Sequence, residues 1–210
     1  SSTFDKKMKR YQTFSKTLDD WEVSWESNGD YRLWCYQCHS SNSKDAVVIM
    51  LNPGSLSGKG EKLKSDTTLR ILRELFYQTG YNPYVINLFD LSSPKPAELF
   101  SRWDQRDNGE FTLKNIDESR FSAVMYAYGD YENTRKKFSR DIKQRIKEFR
   151  ERLKKIPSFD LPLNKSGTPK HPMVIQTQKF KSLTRERIQA LKVEPVDGHN
   201  SVRSSVAHSM

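Results

Sequence analysis

Five short stretches carry side chains that can do chemistry: Asn52-Pro53-Gly54-Ser55, Asp66-x-Thr68-x-Arg70, Asn87-Leu88-Phe89, Gly129, and Lys170-His171-Pro172. A side-chain amide can hold a water by its carbonyl oxygen, although it is no strong base. Asn52 is read that way, against the plainer reading of an Asn-Pro turn. Asp66 can act as a general base or offset positive charge, or it can simply cap the helix that starts near Thr67. Asn87 closes an apolar run. An amide both donates and accepts, which suits the edge of a nucleobase, and a buried one needs partners in any case. His171 is the imidazole of the set, against the plainer reading of a loop residue before proline. Arg70 can anchor a phosphate or pair with Asp66 four residues earlier. Phe89 can stack on a base or pack in the core.

The elements around these stretches predict an α/β fold. Trp21, Val23 and Trp25 alternate with polar residues, and so do Tyr31, Leu33 and Cys35 beyond an Asn-Gly turn, which predicts an N-terminal β-hairpin. Residues 46–51 form a continuous apolar run, as in a buried parallel strand. A helix follows, with Leu69, Leu72, Leu75 and Phe76 inward. Further strands are expected at 84–86, 123–128 and 172–176, and helices around 97–103, over 132–155 and over 179–191, with a loop at 158–170. Strand and helix in alternation predict a three-layer α/β/α domain with a mostly parallel sheet of about four strands. The expected organisation is an extension at 1–20, one domain at 21–195 and a tail at 196–210. In such sheets ligands bind at the carboxyl ends of the strands, where Asn52, Asn87 and Gly129 fall, and His171 just precedes the last expected strand.

The ordered set Asn52-Pro53, Asp66-x-Thr68-x-Arg70, Asn87-Leu88-Phe89, Ala127-x-Gly129 and Gly167-x-Pro169-x-His171-Pro172 resembles an uncharacterised bacterial and phage domain family with the consensus N-P-S…D-P-T-x-R…N-L-F…A-W-G…G-x-P-x-H-P-L. The resemblance spans about residues 31–175. It departs at Gly54 for Ser, Thr67 for Pro, Tyr128 for Trp and Met173 for Leu, and carries an insertion at 58–64. More distantly, the order of motifs is similar to that of the uracil-DNA glycosylase superfamily, whose mismatch-specific branch also has N-P-G. That resemblance implies a uracil-DNA-glycosylase-like architecture. It also implies water positioning by Asn52, base reading by Asn87 and support of the departing base by His171, and the uncharacterised family keeps an acid at Asp66. Pro53, Gly54, Ser55, Thr68, Arg70, Phe89, Gly129 and Lys170 would line the substrate site. Cleavage of an N-glycosidic bond passes through an oxocarbenium-like state. It therefore needs a placed water and a donor for the leaving base, and these residue types can supply both.

The net charge of +10 over 210 residues is not evenly spread. Residues 1–50 are neutral and 51–131 carry −1, whereas 132–155 carry +7 and 156–210 carry +4. In 132–155, Phe138, Ile142, Ile146, Phe149 and Leu153 form one helical face, and eleven Lys and Arg cover the rest. Such a surface is either a solvated face with a few i,i+4 pairs or a contact for phosphates, with Arg135, Lys136, Arg140, Lys143 and Lys147 as the candidates.

Cys35-x-x-Cys38-His39 has the spacing of a haem attachment, but it falls on an expected strand and lacks the second half of a zinc site, so no metal or other cofactor is expected. Residues 54–60 only superficially resemble a phosphate loop; a mobile loop that closes on substrate is the expectation. Two cysteines, no long apolar run and a polar start predict a cytoplasmic protein that does not enter membranes. The leading expectation is a nucleic-acid-binding, glycosylase-like hydrolase, acting on DNA before RNA. The rivals are a DNA- or RNA-binding module without catalysis and an enzyme of free nucleotides or nucleosides.

Overall fold

A computed structural model describes residues 10–54, 63–107, 112–175 and 178–191. The chain builds one seven-stranded sheet in the order β1-β2-β3-β5-β4-β6-β7. These strands are β1 (Gln12–Leu18), β2 (Trp21–Ser27), β3 (Arg32–His39), β4 (Lys44–Met50), β5 (Tyr81–Asn87), β6 (Phe121–Tyr126) and β7 (Ser158–Asp160). The helices are α1 (Thr67–Phe76), α2 (Pro96–Ser101), α3 (Tyr131–Thr134), α4 (Ser139–Arg152) and α5 (Gln178–Ala190). Among the described residues no helix is long and apolar enough to cross a membrane.

The expected sheet is corrected in size and direction. It has seven strands, and only the β4–β5, β4–β6 and β6–β7 pairs are parallel, while β1–β2, β2–β3 and β3–β5 are antiparallel. The cause is the hairpin. It forms as expected, with Asn28 Oδ1 accepting the backbone N–H of Asp30 at 3.1 Å and of Tyr31 at 2.8 Å, and Gly29 at φ 96°. It then docks on the parallel half, Cys35 opposite Val85, and adds an antiparallel half to the same sheet. Residues 12–18 of the N-terminal stretch join it as an edge strand.

The expected strand at 172–176 is instead a 3-10 turn, Pro172–Val174. Pro172 has no N–H for a ladder, and His171 Nδ1 accepts the N–H of Met173 at 3.1 Å, which turns the chain. The seventh strand comes from Ser158–Asp160, within the expected loop, where three residues are too few to show alternation.

Helices cover both faces of the sheet. One core joins Trp21, Trp25, Val48 and Val85 with Leu72, Phe76 and Ile188 of α1 and α5. The other joins Val47, Ile49 and Leu88 with Leu99 of α2 and Ile142, Ile146 and Phe149 of α4. Burying a side chain such as Phe149 stabilises the fold by roughly 1.5–3 kcal/mol.

Candidate functional site

The carboxyl ends of β4 and β5 open into a cavity of about 530 Å³. Met50, Leu51, Asn52 and Gly54 follow β4, and Val85 and Asn87 close β5. Arg32 begins β3, and Asp66, Thr67, Thr68 and Leu69 form the start of α1. Ser93, Pro94 and Pro96, then Tyr131, then His171, Met173 and Val174 complete the wall. Four segments far apart in the chain thus bring Asn52, Asp66, Asn87 and His171 to one space.

Each of the four is held differently. Asn52 Nδ2 donates to Leu91 O at 2.9 Å and Ser93 Oγ at 2.7 Å, with a longer contact to Pro53 O. Its orientation is therefore set, and Oδ1 has no hydrogen-bond partner among the described residues. Ser93 N–H donates to Pro53 O at 2.9 Å, so the two loops brace each other. Asp66 Oδ1 accepts the N–H of Leu69 at 2.9 Å, which is the capping role. Its Oδ2 lies toward Gly54, where an added Cβ would sit 3.5 Å away. Asn87 is 1% exposed, and neither Oδ1 nor Nδ2 has a partner among the described residues.

His171 is neutral at pH 7. Burial pushes its imidazole down to about 4, and the Asp66 carboxylate pulls the other way without prevailing. With Nδ1 accepting from Met173, the proton of the neutral ring belongs on Nε2, which can donate. The loop before His171 is tied down by Asp130. Ser166 Oγ donates to Asp130 Oδ1 at 2.6 Å and Thr168 Oγ1 at 2.7 Å, and Asn133 Nδ2 does so at 2.7 Å. Partial burial works against the Asp130 carboxylate, but these three bonds hold it below its ordinary value. Gly129 supports the same corner at φ 80°. A Cβ there would meet the Tyr131 ring at 3.2 Å and His171 Cβ at 3.9 Å.

The other expected site residues divide. Gly54 and Thr68 line the cavity, whereas Pro53 is buried behind it and acts through its carbonyl. Arg70 points away and pairs with Glu74 at 2.7 Å, not with Asp66. Phe89 takes the packing role, with its ring 4.8 Å from that of Trp103 in the opposite core. Lys170 bonds Asn164 Oδ1 through Nζ at 3.2 Å, outside the wall. Ser55 and all of the expected closing loop at 54–60 beyond Gly54 lie outside the described residues. Arg32, Ser93 and Tyr131 line the cavity without having been expected there. None of the three left a signal, since Arg32 falls on a polar position of the hairpin's alternation.

Among the described residues no group of three or more His, Cys, Asp or Glu could hold a metal ion. Cys35 is fully buried, and burial pushes its thiol up to about 11, away from the thiolate.

The chain matches the family described as Protein of unknown function (DUF1643) over residues 31–173. It belongs to that family. No curated protein and no solved structure matches it. The span shared with the family takes in the cavity wall from Arg32 to Met173 and leaves out β1, β2 and α5.

The basic segment divides into two sets. Arg145 binds Asp107 at 2.7 Å and the carbonyl of Leu88, and Arg152 pairs with Glu118. Arg150 bonds Tyr128 at 3.0 Å and Asp160 at 3.1 Å, with its guanidinium 3.9 Å above the Tyr126 ring. By contrast Arg135, Lys136, Arg140, Lys143 and Lys147 are exposed. The chain leaves β6 at the carboxyl end of the sheet and passes Tyr131 on the cavity wall before α4 begins. Arg135 lies 4.9 Å over the Phe100 ring, which in turn is 5.8 Å from Tyr131. The first of these exposed cations thus stands at the cavity's end of the sheet.

Proposed function

We propose that the cavity receives a nucleobase and that the protein hydrolyses an N-glycosidic bond of a nucleic acid, DNA in the first instance. The observation that carries this reading is Asn87. A buried amide with both polar atoms unpartnered costs free energy unless a ligand or a water completes it. Its donor and acceptor side by side match the edge of a base. Asn52 Oδ1 holds the attacking water. The water oxygen bonds to the anomeric carbon and its proton passes to Asp66 Oδ2. The carbon–nitrogen bond breaks, its electron pair stays with the base, and His171 Nε2–H donates to the leaving base. Arg135, Lys136, Arg140, Lys143 and Lys147 contact backbone phosphates, which position the polymer without reading its sequence.

The test is release of free base from single- and double-stranded oligonucleotides carrying uracil, hypoxanthine or mismatches. Release that falls at least 100-fold in Asn52→Ala supports the reading, since losing one preorganised polar group costs about 10²–10³ in rate. No release from any substrate, with Asn52→Ala indistinguishable from the wild type, overturns it.

A further inference from the structure

Arg32 is the unexplained charge of the cavity. It is 3% exposed, lines the wall, and leaves Nε and Nη1 without partners among the described residues. No ion pair reaches it among the described residues. A guanidinium does not shed its proton to escape burial, as a lysine or histidine can. An uncompensated buried charge is among the costliest features a fold can carry. Its place follows from the sheet. β3 runs antiparallel to β5 with Cys35 opposite Val85, so the first residue of β3 stands at the end of β5 that carries Asn87. One end of the cavity therefore holds a cation and an amide, both unsatisfied. Asp66 lines the same space from the start of α1, where its Oδ1 caps the helix, and it forms no ion pair with Arg32.

We infer that the cavity takes a base together with a phosphate, with Arg32 binding the phosphate oxyanion beside the Asn87 amide. This rests on the base-binding reading above and adds a charge requirement that a neutral base does not meet. At about 530 Å³ the space lies within the range of sites for whole small molecules, which leaves room beyond a single ring system. The oxyanion can come from the terminal phosphate of a free nucleotide or from an internucleotide phosphodiester, and Arg suits both.

The experiment is calorimetric titration of the full chain with the four common nucleosides, their 5′-monophosphates, and dinucleoside monophosphates that lack a terminal phosphate. The expected result is at least tenfold tighter binding of a phosphate-bearing ligand than of its nucleoside. Arg32→Gln should remove that gain and Arg32→Lys should keep part of it. A gain confined to monophosphates assigns the oxyanion to free nucleotides. A gain shown also by dinucleoside monophosphates assigns it to the polymer. Equal affinity with and without phosphate, or a gain that survives in Arg32→Gln, overturns the inference. Should Arg32→Gln fail to fold, inorganic phosphate is titrated into the wild-type protein instead. It must weaken binding of the phosphate-bearing ligand, and the absence of any such competition overturns the inference equally. Loss of base release leaves these affinities untouched, so the hydrolytic reading and the phosphate site fail separately.

Discussion

The cavity and the basic helix α4 invert what their charges suggest. The cavity lies mostly in a stretch that is close to neutral in sequence, yet among the described residues it holds a buried guanidinium whose Nε and Nη1 lack partners and a buried amide with neither polar atom partnered. The helix lies in the most basic stretch, yet Arg145, Arg150 and Arg152 are committed to Asp107, Asp160 and Glu118. Unsatisfied polarity, not net charge, marks where a ligand is awaited. Three of the eleven cations in residues 132–155 thus fasten the helix to the sheet and its loops.

The largest effect expected is on the cavity side. Asn52→Ala removes the Oδ1 acceptor and also the bonds to Leu91 O and Ser93 Oγ, so base release should drop by two orders of magnitude or more. Thermal unfolding measured on the same sample separates the lost chemistry from loosened loops. On the helix side, Arg145→Ala should cost about 2–3 kcal/mol in urea unfolding, because Asp107 and the carbonyl of Leu88 lose their donor in a place where the arginine side chain is only 15% exposed. Lys147→Ala, on the same helix, should stay within about 0.5 kcal/mol. Equal costs for the two would erase the distinction between committed and exposed cations.

Much of this was legible in the sequence, and the rest was non-local. The apolar runs that became β4 and β5 end in polar residues, and those ends line the cavity. Asn87 could be read because an amide at the close of an apolar strand needs a reason. Arg32 could not be read, since the cavity it lines is shared with residues of β5 and α1, which lie far from it in the chain. β1 was hidden because only Phe14 and Leu18 of its seven residues pack against the core. The mixed direction of the sheet depends on where the hairpin docks, which no periodicity records. The apolar face of α4 was plain, but the partners of its arginines lie at Asp107, Glu118 and Asp160, and no spacing rule connects them.

A titration sharpens the comparison, because Asp90 borders the helix side and behaves as the cavity residues do. It is fully buried, and burial first and the neighbouring Asp107 second push its carboxyl up to about 8, against the pull of Arg145. A raised folded-state value means that the folded protein holds a proton the unfolded chain has released. The stabilisation is complete below the ordinary value near 3.8 and is lost as pH rises through about 8. His171 works in the opposite sense. Its contribution is present above 6.5 and is lost as pH falls through about 4. Between pH 6.5 and 8 Asp90 therefore sets the slope of the two. The wild type should lose stability there by about 1 kcal/mol per pH unit, and Asp90→Asn should flatten the profile. An unchanged slope in Asp90→Asn would show that the carboxylate is ionised in the folded state.

The smallest effects belong to the exposed cations, and they decide whether the helix has any part in binding. Arg140→Ala, Lys143→Ala and Lys147→Ala should leave unfolding almost unchanged, because these side chains are exposed. If each contacts a phosphate, each substitution removes one counterion-release event. The slope of log binding constant against log salt should then fall by about 0.9 per residue on duplex DNA and about 0.7 on a single strand. Affinity for a polymer would weaken a few-fold at each step, and the loss would fade at high salt. Binding of a mononucleotide should not change, because that contact lies inside the cavity. A salt slope that ignores all three residues would mean that the whole basic segment serves the fold, and that the cavity meets its ligand without help from the helix.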